Sequence, residues 1–201
     1  MMNARQLSLR KQIALSSERA GVQAFWIVTF ALLTAVGAQI EIPIHPVPFT
    51  LQTFFVLLAG GLLSKRNAFL SMTLYLILGT AGLPVFSSAG FGLSRLVGPT
   101  GGYLISFPIA AFLISYLLSL RPSESDGRMS SVQTLVKGYG WTIGAMALGL
   151  VIVFLAGTIH LNLVYMHDWG SALRSGFLVF SLWDVLKLLA AAAITQQFVR
   201  R

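Results

Sequence analysis

Apolar residues run along this chain in long blocks, each broken off by a short stretch of charge or of glycine and proline. Blocks of about 18–20 apolar residues suffice to cross a bilayer core of about 30 Å. The pattern predicts six spans: Val22–Ile40, a rather short second at Pro48–Leu63, then Ala68–Leu83, Gly102–Leu120, Tyr139–Ile159 and Phe177–Val199. Residues 1–21 are too long and too charged for an ordinary signal-peptide head, and the apolar run that follows lacks a clear cleavage site. The first span is therefore expected to be retained, with residues 22–201 forming one membrane domain behind a basic N-terminal segment, 1–21. "RPSESDGRMSSVQ", at the start of a polar connection over 121–138, is the only linker-like stretch and reads as a solvated loop between helices. No internal repeat is visible, which weakens the case for an inverted-repeat carrier.

Composition agrees with that pattern. Hydrophobic residues make up 56% of the chain and charged residues 10%, with a mean hydropathy of +0.79; a soluble domain carries about a quarter charged residues. A net charge of +8 could suggest nucleic acid, but its placement argues otherwise. Arg5, Arg10, Lys11 and Arg19 precede the first span, and Lys65 and Arg66 separate the second from the third. Arg121, Arg128 and Lys137 separate the fourth from the fifth, and Arg200 and Arg201 end the chain. All of these fall on one side of a six-span topology, whereas the other side holds only Arg95 and Arg174, and Lys187 lies inside a span. Short loops rich in Lys and Arg stay cytoplasmic. Both termini are expected inside, and the charge is a topology signal.

Enzyme signatures are poor. The chain has no cysteine, hence no disulfide, thiolate metal site or cysteine nucleophile. His45, His160 and His167 form no HExxH pattern, and there is no GxSxG elbow. Without a P-loop the chain cannot itself drive transport with ATP. No catalytic constellation, metal or cofactor is expected.

Polar chemistry gathers in the two external connections. In "QIEIPIHPVPFTLQ", Pro43, Pro46 and Pro48 lock their own φ and push their neighbours into extended backbone. A stiff, mostly apolar segment containing Ile42 suits a lid over a pocket, and a tight connector is the plainer alternative. "GTAGLPVFSSAGFGLSRLVGPTGGYLISF" is rich in glycine, which suits a re-entrant loop folded into a bundle. Its Gly90-Phe91-Gly92 does not extend to a dinucleotide fingerprint. Arg95 is that loop's only charge, open to two readings: an interfacial snorkelling arginine or an anchor for an anion.

Within "FSLWDVLKLLAAAAI", Asp184 and Lys187 stand three residues apart, on one face of a helix and within reach of each other. A charge at the centre of a membrane helix costs about 2.5–3.5 kcal/mol on insertion scales, and such groups usually face a cavity or one another. Mutual neutralisation alone leaves the pair unexplained, because an apolar pair would cost less; presentation of an acceptor and a donor to a ligand is the functional reading. Ala31 and Ala35 in the first span, and Gly140, Gly144 and Ala147 in the fifth, follow the small-xxx-small spacing of close helix packing. A partner-docking face is the sharper alternative.

Taken together, "AVGAQIEIPIHPVPFTLQTFFVLLAGGLLS", "YLILGTAGLPVF", "LVGPTGGYLISF" and "DVLKLLAAA" resemble the BioY family, the biotin-specific S components of energy-coupling factor transporters, from about Ala31 to Ala193. The resemblance implies an all-α, six-helix bundle in a bacterial inner membrane, with a largely occluded external pocket capped by the first loop. It implies that Asp184 and Lys187 contact biotin: a ureido ring offers two N–H donors to a carboxylate and a carbonyl to an ammonium. Arg95 would suit the valerate carboxylate, which Lys187 could also take, and Gln52 and Tyr103 are further pocket candidates. It also implies docking, through alanines spaced like Ala31 and Ala35, to a transmembrane coupling subunit that carries two ATPases. The family commonly has Pro-Gly before the last helix's aspartate, where this chain has Leu182-Trp183; a more regular approach to Asp184, with Trp183 as an apolar wall, is expected. Glu41 departs as an acidic residue in the lid region. Rival readings are an S component for another small carboxylate vitamin, an autonomous secondary transporter using Asp184 as its proton site, and a structural membrane protein.

Overall fold

The computed structural model describes residues 19–121, 131–178 and 182–199; the basic segment before Arg19, residues 122–130 and the two C-terminal arginines lie outside them. In chain order the elements are α1 (Ala20–Gln39), a hairpin of β1 (Glu41–Ile42) and β2 (Phe49–Thr50), α2 (Gln52–Leu62) and α3 (Lys65–Thr80). Next come α4 (Ser94–Val97), α5 (Gly101–Ser119), α6 (Ser131–Leu161), α7 (Trp169–Ala172) and α8 (Leu182–Val199). The chain is mostly helical, and three segments are long and apolar enough to cross a membrane by themselves: Ala20–Gln39, Gly101–Ser119 and Gly138–Met166.

The other expected spans depart from their apolar blocks in length or position. Pro48, Phe49 and Thr50 leave the second block for the hairpin, so α2 keeps 11 residues, about 16 Å at 1.5 Å per residue. Its shortness is possible because it is the middle of the bundle, packed against α1, α3, α5, α6 and α8. Gly60 and Gly61 let it in: a Cβ on Gly60 would sit 2.7 Å from the Ile114 side chain, and one on Gly61 2.8 Å from Met146. α3 begins three residues before its apolar block, at Lys65, and stops at Thr80, ahead of the expected Leu83. α6 begins at Ser131, which shortens the expected 121–138 loop. Polarity bars a segment from the bilayer but not from being helical, and "SVQTLVK" carries no Pro or Gly to stop the helix.

The core runs along the inner faces of these helices and includes Phe30, Leu57, Met72, Tyr75, Phe107, Ile114, Met146 and Leu150, all buried. Apolar packing gives little drive between helices in lipid, so small side chains and cross-helix hydrogen bonds matter more than in water. Ser71 Oγ donates to Ile27 O at 2.9 Å, tying α3 to α1. Ser115 Oγ donates to Leu63 O at 2.7 Å, tying α5 to the end of α2. Gln196 Nε2 donates to Gly138 O at 2.8 Å and also to Thr142 Oγ1, tying α8 to α6.

The small-xxx-small expectation for α6 is met at Ala147, which packs against the core, but not at the two glycines. Side-chain room at Gly140 and Gly144 is open, with nothing within 4 Å of a Cβ, so neither packs a described helix. The close approach of α5 and α6 comes from Gly149, facing Ile114, and Gly157, facing the Tyr103 ring. In α1, Ala31 is fully buried inside the chain and Ala35 half-buried, so of the two only Ala35 retains surface.

Candidate ligand-binding site

At one end of the bundle, α2, α5, α6 and α8 enclose a cavity of about 70 Å³. By the measure in which one water needs about 10–15 Å³, this space holds several. The floor and walls are Leu104, Phe107, Val153 and Phe154; the roof is Val47, Pro48 and Phe49 of the hairpin. Its polar lining includes Thr50, Gln52, Thr53, Asp184 and Lys187.

Asp184 and Lys187 come from α8, and their helical context differs from the expected one. They do not sit mid-span. Residues 162–178 fold into tight turns and α7, and Asp184 stands in the first turn of α8. A carboxylate there faces the positive end of the helix, which lowers the cost of burying it. Asp184 is 1% exposed and Lys187 8%, with Oδ1 and Nζ 2.7 Å apart. The ammonium also donates to Thr50 O at 3.0 Å and to Thr53 Oγ1 at 2.8 Å. Three acceptors match its three protons. It further lies 4.0 Å from the Phe49 ring centroid, a cation–π distance. Lys187 therefore joins α8, the hairpin and the first turn of α2.

Gln52 lines the cavity, and its amide is also committed elsewhere. Thr50 Oγ1 donates to its Oε1 at 3.0 Å, and its Nε2 donates to the hydroxyl of Tyr75, which donates onward to Val85 O at 3.1 Å. Gln52 thus braces the hairpin against the connection that follows α3. Tyr103 does the same work opposite: it lines the cavity, and its hydroxyl donates to Gly176 O at 2.9 Å, holding the 162–178 wall onto α5.

Arg95 is half-buried on α4 and is not among the cavity's lining residues. Its guanidinium occupies the space where a Gly90 side chain would go, with Nη2 2.7 Å from that Cβ position. The structure thus brings together Gln52, Tyr103, Asp184 and Lys187, and packs Arg95 on its own loop. Among the lid residues Pro48 lines the cavity, whereas Ile42 and Pro43 are exposed and Pro46 half-buried. Trp183, expected as a pocket wall, is 60% exposed and points out of the bundle. One step along a helix from Asp184 turns a side chain by about 100°, too far to share its cavity.

Sequence reasoning missed Thr50 and Thr53 as partners of the lysine. Both stand in the quoted "VPFTLQT" stretch, and a buried ammonium requires acceptors nearby, so that demand was the available signal. Tyr75 had none: a tyrosine in an apolar helix looks like core until its hydroxyl partner is known. Glu41, a departure in sequence, accepts a hydrogen bond from Ser88 Oγ at 2.6 Å.

The family model that matches this chain, over residues 10–201, is that of the BioY family. The chain belongs to the BioY family. A biotin transporter BioY of Thermotoga maritima is 40% identical over 165 residues, covering 82% of this chain and 88% of that protein. A probable biotin transporter BioY of Pyrococcus horikoshii is 36% identical over 171 residues, covering 85% and 92%. Among solved structures, the S-component for biotin from an ECF-type ABC transporter superposes with a TM-score of 0.78 at 25% identity, covering 94% of this chain and 96% of that one. The resemblance seen in the loop motifs thus extends to nearly the whole BioY fold.

Proposed function

We propose that this chain is the substrate-specificity subunit of an ECF-type ABC transporter and binds biotin in the cavity beneath the hairpin. The observation that carries the assignment is the buried Asp184–Lys187 pair, aimed into a cavity roofed by the "HPVPFTLQT" segment. A carboxylate accepts the two ureido N–H groups and an ammonium donates to the ureido carbonyl, while Phe49, Leu104, Phe107 and Phe154 cover the thioether ring and chain. Lys187 takes the ureido carbonyl with the proton now given to Thr50 O, released as the hairpin lifts, and Arg95 takes the valerate carboxylate once the loop that carries it shifts.

In this reading α1, α2, α3, α5, α6 and α8 form a bundle embedded in a bacterial inner membrane with both termini cytoplasmic, so the hairpin faces outside. Capture requires the hairpin to lift, since its residues form the roof. Delivery falls to a transmembrane coupling subunit and two ATPases, because the chain has no nucleotide-binding motif. Docking uses the α1 surface around Ala35.

Calorimetry of biotin with the purified chain tests the assignment. Tight binding is expected, competed by desthiobiotin, which keeps the ureido group, but not by pentanoic acid. Absence of binding by a well-folded sample, or equal competition by pentanoic acid, overturns it.

A further inference from the structure

At the opposite end of the bundle from the cavity, a cleft of about 800 Å³ opens between α3 and α5. Phe69, Ile109, Phe112 and Tyr116 line it, each between 39% and 54% exposed, and Lys65 and Arg66 stand at its mouth. Phe112 and Tyr116 stack almost parallel, with interplanar angle 2°, and make one flat apolar wall. Lys65 Nζ hangs 5.4 Å from the Tyr116 ring centroid, which keeps the ammonium over the wall instead of in free solution.

The two cations do nothing for the helix they start. Both lie in the first turn of α3, where the macrodipole disfavours positive charge. The described carboxylates do not neutralise them either. Asp184 pairs with Lys187, Glu41 accepts from Ser88, and Asp168 caps α7. What remains is an apolar trough headed by two positive charges, and that combination matches a lipid with an anionic head and an apolar tail.

We propose that the α3–α5 cleft holds an anionic phospholipid, its phosphate on Lys65 and Arg66 and one acyl chain along Phe69, Ile109, Phe112 and Tyr116. The inference rests on the membrane reading and on the proposed topology, which puts this end at the cytoplasmic leaflet, where anionic lipids attract basic groups. It does not depend on what the cavity binds. The bound lipid would fix the tilt of α3 and α5 at the end opposite the cavity.

Native mass spectrometry of the detergent-purified chain, offered phosphatidylglycerol or phosphatidylcholine of the same acyl composition, tests the proposal. Wild type is expected to retain one phosphatidylglycerol with roughly tenfold preference over phosphatidylcholine. Lys65→Gln with Arg66→Gln should abolish the preference, Ile109→Trp should expel both lipids by filling the trough, and Arg174→Gln at the other end should change nothing. Circular dichroism and biotin titration of the same samples report folding and the cavity separately, so loss of lipid selectivity is not confused with loss of ligand. Equal retention of the two lipids by wild type overturns the proposal. So does a preference that survives the double substitution. A double variant that keeps its lipid but no longer co-purifies with the coupling subunit would make the cleft a protein-docking site, which also overturns it.

Discussion

Two connections close the same end of this molecule, and they are held by different chemistry. The hairpin between α1 and α2 is held by a charge: Lys187 donates to Thr50 O and Thr53 Oγ1 and lies on the Phe49 ring. The connection between α3 and α5 is held chiefly by neutral groups, with one carboxylate, Glu41, accepting from Ser88 Oγ. Gln39 Nε2 donates to Phe86 O at 3.0 Å, Gln39 Oε1 accepts from Ala89 N at 3.1 Å, and Tyr75 donates to Val85 O. Those bonds secure a turn in which Ser88 and Ala89 both have positive φ, 54° and 50°, a strained backbone for residues with a Cβ. The difference bears on gating. The ammonium that holds the hairpin is the one proposed to meet the ligand, and on that proposal occupancy of the cavity and the position of its roof are coupled through one side chain. The second connection reaches the cavity through Ser87 and Thr100 and meets the hairpin at Gln52 and at the Glu41–Ser88 bond, none of which involves that ammonium.

The largest break in this comparison is Lys187→Met. It removes the hairpin's anchor and strands a buried carboxylate, a cost of about 3–5 kcal/mol. Thermal unfolding in detergent should show a large fall, and biotin binding should vanish. Adding Asp184→Asn to that variant should recover much of the stability and none of the binding. If the double variant binds biotin, the pair is structural. Tyr75→Phe comes next. It leaves the Gln52 amide and Val85 O without their partner, at about 1–3 kcal/mol, and should loosen both connections together in hydrogen exchange. Gln39→Ala should loosen only the second, by about 1 kcal/mol or slightly more, with exchange rising at Ala89 and not at Thr50. Protection lost equally in both connections would sink the distinction between charged and neutral anchoring.

The smallest effect concerns Asp168, outside both connections. Hydrogen bonds from the Ser171 side chain, then from the backbone N–H groups of Ser171 and Gly170, hold its carboxyl below the ordinary range. A group whose pKa is lower when folded stabilises above its unfolded pKa and loses that contribution as pH falls through its folded value. Wild type and Asp168→Asn should therefore differ slightly near neutral pH and converge as the pH falls through and below the ordinary carboxylate range. Because Asp168 is fully exposed, the 162–178 wall should change little.

The sequence pattern located three membrane-length helices, the stiff non-helical segment after the first and the Asp184–Lys187 pair, because hydrophobicity over a bilayer's width and charge within it are local properties with large free-energy consequences. It placed the pair mid-span for the same reason: an apolar block does not say where a helix's first turn falls, and Asp184 stands in the first turn of α8. Gly140 and Gly144 read as a packing face because spacing alone does not say which side of a helix meets a neighbour.

What the residues determined by themselves, then, was the class of molecule and the chemistry available to it: a helical membrane chain with an acid–base pair in an apolar block and a stiff, proline-rich connection elsewhere. What only tertiary structure decided was which groups meet. Thr53 and Lys187 are 134 positions apart and form a 2.8 Å hydrogen bond, and Gln52 reaches Tyr75 across 23 positions. Arg95 is set against Gly90 and away from the cavity lining. Such pairings depend on helix rotation and depth within the bundle, which are settled by the summed packing of every helix, and no short stretch of sequence contains that sum.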